Sequence, residues 1–330
     1  FPGVELVLIG SPKLREVYAS NPKVRIQPFH YVRRGNLIER FNSWLGLLTV
    51  VENEIKEYQS GEVLLFDPDS RLSQLGVLPL IESESYFFFN SRGKDSYPKK
   101  ISIAELANFW LDTVLGPGQF CYPKVWPIQN HLDNAAIAVD KLHANNYTHV
   151  IAINLGVGGN LRKKLEGDFE EQLILELLKQ PNTAILLDQG FGDEEQTGTE
   201  RILSAAKRQG FPTNSCLFSE LAYIKDLQGV IGVKCTIGEI ASLIAHSDEF
   251  IGYDSACQHI SAALGRPTYT IFAGSNNVRF IRRWTACGPN VSEIIYVDTL
   301  SHTQQYETKD IVERILDRRC QNEGANECLP

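Results

Sequence analysis

The chain has 330 residues, with 32 basic and 40 acidic side chains, a formal charge of −8, and 43% hydrophobic content. This composition supplies ample apolar surface for a core and excludes a disordered or collagen-like polymer. The acidic balance argues against a nucleic-acid partner, because duplex affinity comes largely from Lys and Arg at phosphates.

The length points to two domains. Methionine is absent, where usage of about 2% would supply roughly seven, and the sequence starts Phe1-Pro2-Gly3. The expectation is a sequence that begins inside a longer native protein, with internal methionines substituted or left out. Apolar runs such as Val4–Ile9 and Ala262–Phe272 fall far short of the ~20 residues of a transmembrane helix, and no signal peptide is visible. The cysteines Cys121, Cys216, Cys235, Cys257, Cys287, Cys320 and Cys328 are odd in number and form no Cys-x-x-Cys pair. They read as the reduced thiols of a cytoplasmic protein rather than a disulfide framework or a zinc site.

In chain order, Val4–Ile9 reads as a buried strand and Asn42–Tyr58 contains a helix. Glu62–Phe66 and Ser85–Phe89 read as strands, and Ile103–Leu115 as an amphipathic helix. Prolines and glycines then crowd Gly116–Pro127, too densely for a helix interior or a central strand, which makes this the linker. It divides a first domain, 1–127, from a second domain, 128–330. Beyond it come helix Asn130–Ala144, strand His149–Leu155, helix Phe169–Lys179, strand Thr183–Asp188 and helix Thr197–Arg208. Helix Ile237–Ala245, strand Glu249–Tyr253, helix Gln258–Leu264, strands Thr268–Phe272 and Glu293–Val297, and a last helix near Lys309–Arg318 complete the order. Strands alternating with helices predict an α/β protein of two Rossmann-like, doubly wound parallel-sheet domains facing a cleft. Ligands then belong in the loops after the strands.

Two loops stand out. Asn154-Leu155-Gly156-Val157-Gly158-Gly159-Asn160-Leu161-Arg162-Lys163-Lys164 follows a strand directly. Gly158 and Gly159 would let backbone amides approach an anion that Lys163 and Lys164 neutralise. The spacing is not that of a Walker loop, and a flexible loop with solvated cations is the alternative. In the second, a strand ends at Asp254-Ser255 and a small-residue helix starts at once, closing at Gly265-Arg266-Pro267. Helix amino termini present unpaired N–H groups to anions, although Asp-Ser also suits plain capping. His259 lies a turn into the helix on the side of Ser255. It would donate to a phosphate or simply hydrogen-bond inside the fold.

The stretch from Gly232 to Gly274 resembles the signature of the heptosyltransferase-like glycosyltransferase family 9, whose fold is GT-B. The motifs are Thr236-Ile237-Gly238-Glu239, Asp254-Ser255-Ala256-Cys257-Gln258-His259, Ala262-Ala263-Leu264-Gly265-Arg266-Pro267 and Ile271-Phe272-Ala273-Gly274. The resemblance implies a nucleoside-diphosphate sugar donor and no cofactor or metal. It places Thr236, Asp254, Ser255, Ala256 and His259 on the donor, Lys163 or Lys164 at the leaving diphosphate, and Glu194 or Glu195 near the nucleoside. Ala256 stands where the family has glycine. The family's general base follows its first strand, and Phe1-Pro2-Gly3-Val4-Glu5-Leu6 resembles the entry to its second strand. The resemblance therefore implies that 1–127 is the acceptor-side domain, lacking its first strand and helix, that 128–330 binds the nucleotide-sugar donor, and that the catalytic carboxylate precedes residue 1.

The implied reaction is inverting, metal-independent transfer to a glycan or lipopolysaccharide-type acceptor, with peripheral contact at the inner face of a membrane. Arg33, Arg34, Arg279, Arg282 and Arg283 are candidates for an anionic glycan or glycolipid acceptor, with solvated surface charge as the alternative. Asp67-Pro68-Asp69 has the D-x-D pattern of metal-dependent transferases, but reads better as a turn with capping Asp side chains. The other functional readings are a catalytically inactive nucleotide-sugar-binding protein on the same scaffold and, more remotely, a sugar-nucleotide epimerase.

Overall fold

The computed structural model describes all residues except 1–2, 33–34, 60, 69–82, 92, 94–99, 302–305 and 327–330, and the side chains of 83 and 323–326. The chain divides into two units, Phe1–Cys121 and Tyr122–Pro330.

The first unit contains β1 (Leu6–Gly10), α1 (Leu14–Tyr18), β2 (Val24–Pro28), α2 (Leu37–Ile55), β3 (Leu65–Asp67), β4 (Tyr86–Phe88) and α3 (Ile103–Leu115). Strand β1 pairs in parallel with β2, starting from Leu6 opposite Val24, and β3 pairs in parallel with β4. Reciprocal capping boxes start both long helices, Asn36 with Glu39 for α2 and Ser102 with Glu105 for α3. The first strand is not buried as the sequence suggested. Val4 and Leu6 are exposed, because β1 has a single described neighbour to cover it. Asp67 closes β3, is buried, and accepts a hydrogen bond from the Tyr86 hydroxyl at 3.0 Å. Asp69, Arg33 and Arg34 lie outside the described residues.

The second unit runs α4 (Gln129–Ala144), β5 (His149–Asn154), α5 (Phe169–Leu178), β6 (Thr183–Asp188), α6 (Asp193–Arg208), β7 (Thr213–Leu217), α7 (Phe218–Leu221) and β8 (Val230–Lys234). It continues with α8 (Ile237–His246), β9 (Glu249–Tyr253), α9 (Ala256–Ala263), β10 (Thr268–Phe272), α10 (Val278–Trp284), β11 (Ser292–Tyr296) and α11 (Thr308–Asn326). Its seven strands form one parallel sheet in the order β11-β10-β9-β5-β6-β8-β7. Helices α5, α6 and α11 pack together, as do α4, α8 and α9, so helices cover the sheet on both sides and the central strands are buried along their length. Phe169, Leu173, Ile174 and Leu177 of α5 join Ile311, Val312 and Ile315 of α11 over the strands.

Several boundaries differ from the sequence reading. Helix α6 starts at Asp193 rather than Thr197, since Asp193, Glu194 and Glu195 fill a first turn that favours negative charge. Helix α9 starts at Ala256, two residues ahead of the expected position, and α11 extends to Asn326. Strands β2, β7 and β8 and helices α1, α7 and α10 were not among the expected elements. No helix is long and apolar enough to cross a membrane among the described residues.

Candidate functional site

In a doubly wound sheet the ligand crevice opens at the carboxyl ends of the strands, where the strand order reverses. Here the chain builds β5, β6, β7 and β8 to one side and then returns to add β9, β10 and β11 on the other, so the reversal falls between β5 and β9. At that joint Asn154 lies opposite Gly252. A Cβ on Gly252 would come within 2.5 Å of the Asn154 carbonyl oxygen, so glycine lets the two strand ends close up.

The loop after β5 passes through Gly158 and Gly159, both with positive φ, and ends in a short 3-10 turn, Leu161–Lys163. That turn directs Lys163 across the joint. Its Nζ donates to Asp254 Oδ2 at 2.6 Å and to the Asp254 carbonyl at 3.0 Å. Gly274, just beyond β10, holds the turn from the other side. Its φ is +72°, and a Cβ there would strike the Arg162 carbonyl, so a side chain is excluded on both counts. Lys164 points elsewhere and pairs with buried Glu170 at 3.4 Å. The adjacent lysines therefore separate, with Lys163 reaching the family-like motif and Lys164 serving the start of α5.

Asp254 is 6% exposed. Its Oδ1 accepts from the side chain of fully buried Gln258 at 2.7 Å. Ser255 occupies the N-cap of α9 without a capping side-chain bond, so its hydroxyl does not take up the first-turn amides of that helix. Ala256, the first helical residue, is exposed. His259 lies one turn further on. Burial lowers its pKa from 6.5, Asp254 pulls it back up, and Lys163 pushes it down. The edge of the ring meets Trp284 of α10 with centroids 6.2 Å apart. Lys163, Asp254, Ser255, Ala256 and His259 thus form one cluster at the start of α9.

Other expected residues stand around it. Glu195 lies in the first turn of α6, and its Oε2 accepts from the Phe191 amide at 2.6 Å, clasping the turn after β6 and facing Gly156. Glu194 is exposed and borders a groove of about 530 Å³ with Lys164, Glu170 and Arg201. Thr236 is the N-cap of α8 in a reciprocal box with Glu239, so the structure gives its hydroxyl a helix-capping task. Arg279, Arg282 and Arg283 lie on α10. Arg282 is exposed, whereas Arg283 is buried and thus departs from the surface-charge reading. Burial and neighbouring Arg279 lower the Arg283 pKa.

The sequence reading missed three residues here. Gln258 fixes Asp254, Trp284 covers His259, and Asp188 joins Asn154 beneath the loops. The available signal was polar residues ending two apolar strands, Ile151-Ala152-Ile153-Asn154 and Ile185-Leu186-Leu187-Asp188.

Residues 222–315 match the model of glycosyltransferase family 9 (heptosyltransferase). Among solved structures, a glycosyl transferase family 9 protein from Veillonella parvula superposes with a TM-score of 0.57 at 13% identity, covering 94% of this chain and 82% of its own. Heptosyltransferase WaaC of E. coli, in its structure with ADP, gives a TM-score of 0.57 at 14% identity, with 96% and 91% covered. The E. coli ADP-heptose lps heptosyltransferase II gives 0.55 at 12% identity, with 98% and 92% covered. A search among curated proteins finds no match. The chain therefore shares the fold of these structures, and its residues 222–315 are similar to glycosyltransferase family 9 (heptosyltransferase).

Proposed function

We propose that the protein moves a sugar from a nucleoside-diphosphate donor, held by the second unit, to an anionic glycan or lipopolysaccharide-type acceptor, with inversion at the anomeric carbon and without a metal. The observation that carries this reading is Lys163 brought to Asp254 at the amino end of α9, one turn from His259. Structures of E. coli WaaC with ADP and with ADP-2-deoxy-2-fluoro heptose support a nucleoside diphosphate as the donor's handle.

The chemistry follows from these groups. As the bond from the anomeric carbon to the diphosphate breaks, negative charge gathers on the leaving phosphate. Lys163 exchanges its Asp254 contact for that phosphate, the first-turn amides of α9 donate to its oxygens, and His259, kept neutral by burial, donates one N–H. Asp254, released from Lys163, accepts from sugar hydroxyls. Glu195 or Glu194 accepts from the ribose. Arg279 and Arg282 of α10 draw in an acidic acceptor, and the enzyme works in the cytoplasm, touching the inner face of a membrane peripherally.

A thermal-shift screen of ADP-, UDP-, GDP- and dTDP-sugars identifies the donor by selective stabilisation. Sugar transfer from that donor is then measured in His259→Ala and Asp254→Ala. Both variants remain folded and lose donor-dependent transfer, whereas full turnover in both would refute this site. Binding of a donor without transfer to any acceptor would point to the inactive sugar-nucleotide binder.

A further inference from the structure

Asp188, the last residue of β6, has no place in the donor chemistry above, yet it is a carboxyl group only 8% exposed at the carboxyl edge of the sheet. Three elements converge on it. Asn154, ending β5, donates Nδ2–H to Asp188 Oδ2 at 2.6 Å. The amide of Gly190, in the turn leading to α6, donates to Oδ1 at 3.1 Å. The amide of Cys235, in the turn between β8 and α8, points at it as well. The same three turns carry Gly156, Glu195 and Thr236. Glu195 reaches back over Gly190 and Gly156 to clasp the Phe191 amide.

We propose that Asp188 is a positioning residue for the donor: one buried carboxyl group ties the turns after β5, β6 and β8 into a single floor beneath the nucleoside. This rests on the donor reading given above. The floor also responds to pH. Burial raises the Asp188 pKa to about 6, the Gly190 amide and Asn154 oppose that rise, and the Glu195 carboxylate adds to it. The other titratable groups facing Asp188 are the thiols of Cys235 and Cys257, whose pKa values burial raises, so both remain neutral. Above pH 6 the carboxylate accepts all three N–H groups in charge-assisted bonds and the floor tightens. Below it, the protonated group holds them more weakly.

The test titrates the full chain between pH 5 and 8 with the nucleoside-diphosphate sugar that stabilises it most. The diphosphate of such a sugar does not change its ionisation across this range. Wild type, Asp188→Ala and Asp188→Asn are compared, with Lys163→Ala as the control for the donor site. Asp188→Ala weakens donor binding about tenfold at pH 7.5, the loss expected when a buried charged acceptor is removed, with kcat little changed. Asp188→Asn recovers most of that loss at pH 5. The ratio of wild-type to Asp188→Asn affinity rises through about pH 6, a change that purely structural damage would not produce, and this ratio cancels the titration of His259. Wild-type affinity in Asp188→Ala at every pH, or a ratio without a step, would overturn the inference while Lys163→Ala upholds the donor site. A wild-type protein that binds none of the sugars would overturn both.

Discussion

Removal of Arg319 offers a sharp test of how the second unit is held together. Its guanidinium is 1% exposed and meets Glu249, 3% exposed, through Nε at 2.6 Å. Its Nη1 donates to Gln180 Oε1 at 2.7 Å, and His149 Nε2 lies 3.0 Å from the same Glu249 oxygen. The group fastens α11 to the starts of β5 and β9. Arg319→Met keeps the aliphatic stem but leaves a buried carboxylate with only His149 to face it. Breaking a buried pair from one side costs about 3–5 kcal/mol, a large part of the ~5–15 kcal/mol that holds a typical domain.

The cost depends on pH through His149. Burial is the largest influence and depresses its pKa, but the hydrogen bond and charge of Glu249, with the charge of Asp248, together leave it above 6.5, while Arg319 opposes the rise. A raised histidine contributes stability that is present below its unfolded value and lost as pH rises through the folded one. Without Arg319 the His149 pKa climbs further, and the imidazolium partly replaces the missing charge in acid. Hydrogen exchange on peptides covering β9 and α11 reads the local opening free energy without requiring both units to unfold together. The loss falls near the lower end of the range at pH 5.5 and near the upper end at pH 8. Arg319→Met with Glu249→Leu removes both charges and recovers most of it. A single variant within about 1 kcal/mol of wild type at pH 8, or a double variant no better than the single, would refute the reasoning.

Asp188 makes an opposite contribution. Its carboxyl is raised from 3.8 to about 6 in the fold, so the native state binds the extra proton and stability falls as pH rises between those values. The span corresponds to about 3 kcal/mol, and denaturant unfolding of Asp188→Asn should lack that slope. Gly274→Ala must place a side chain at φ +72° against the Arg162 carbonyl. It displaces the Lys163 turn and weakens donor binding at least tenfold by calorimetry, roughly 1.4 kcal/mol. Trp284→Ala opens His259 to water, so NMR titration should show its depressed pKa moving up towards 6.5. Thr236→Ala removes a helix cap worth about 1 kcal/mol, which lowers the melting temperature and leaves donor affinity unchanged.

The core of the second unit was legible because a parallel sheet buries both faces and so writes its strands as continuous apolar runs. Thr183–Asp188, Glu249–Tyr253 and Thr268–Phe272 were read at the bounds they have in the structure. Strand β7 escaped because it lies at the sheet edge, and Thr213-Asn214-Ser215-Cys216-Leu217 is too polar to stand out. The start of α6 was missed because its first turn is acidic rather than apolar, a matter of capping and not of periodicity. At the site, the strand end at Asp254 and the place of His259 one turn into the next helix could be read from the sequence, and their link to an anion came only from the family resemblance. The choice between Lys163 and Lys164 could not be read at all, since it depends on a 3-10 turn pressed into place by Gly274 from a loop over a hundred positions away. Asp188 looked like the end of a strand, and its three partners come from three different turns.

The order of the sheet also bears on how the unit comes into being. Strands β5 and β9 are neighbours, yet they begin 100 residues apart. During synthesis β5 can pair with β6, and β8 can join them, while its other edge waits for a strand not yet made. An open apolar edge of this kind is prone to pair with another chain. That waiting joint is the one where Lys163 meets Asp254. Small molecules that bridge that joint would act as folding aids, raising the yield of protein refolded in their presence. The crevice at that joint would then be the seam along which the two halves of the sheet are sealed.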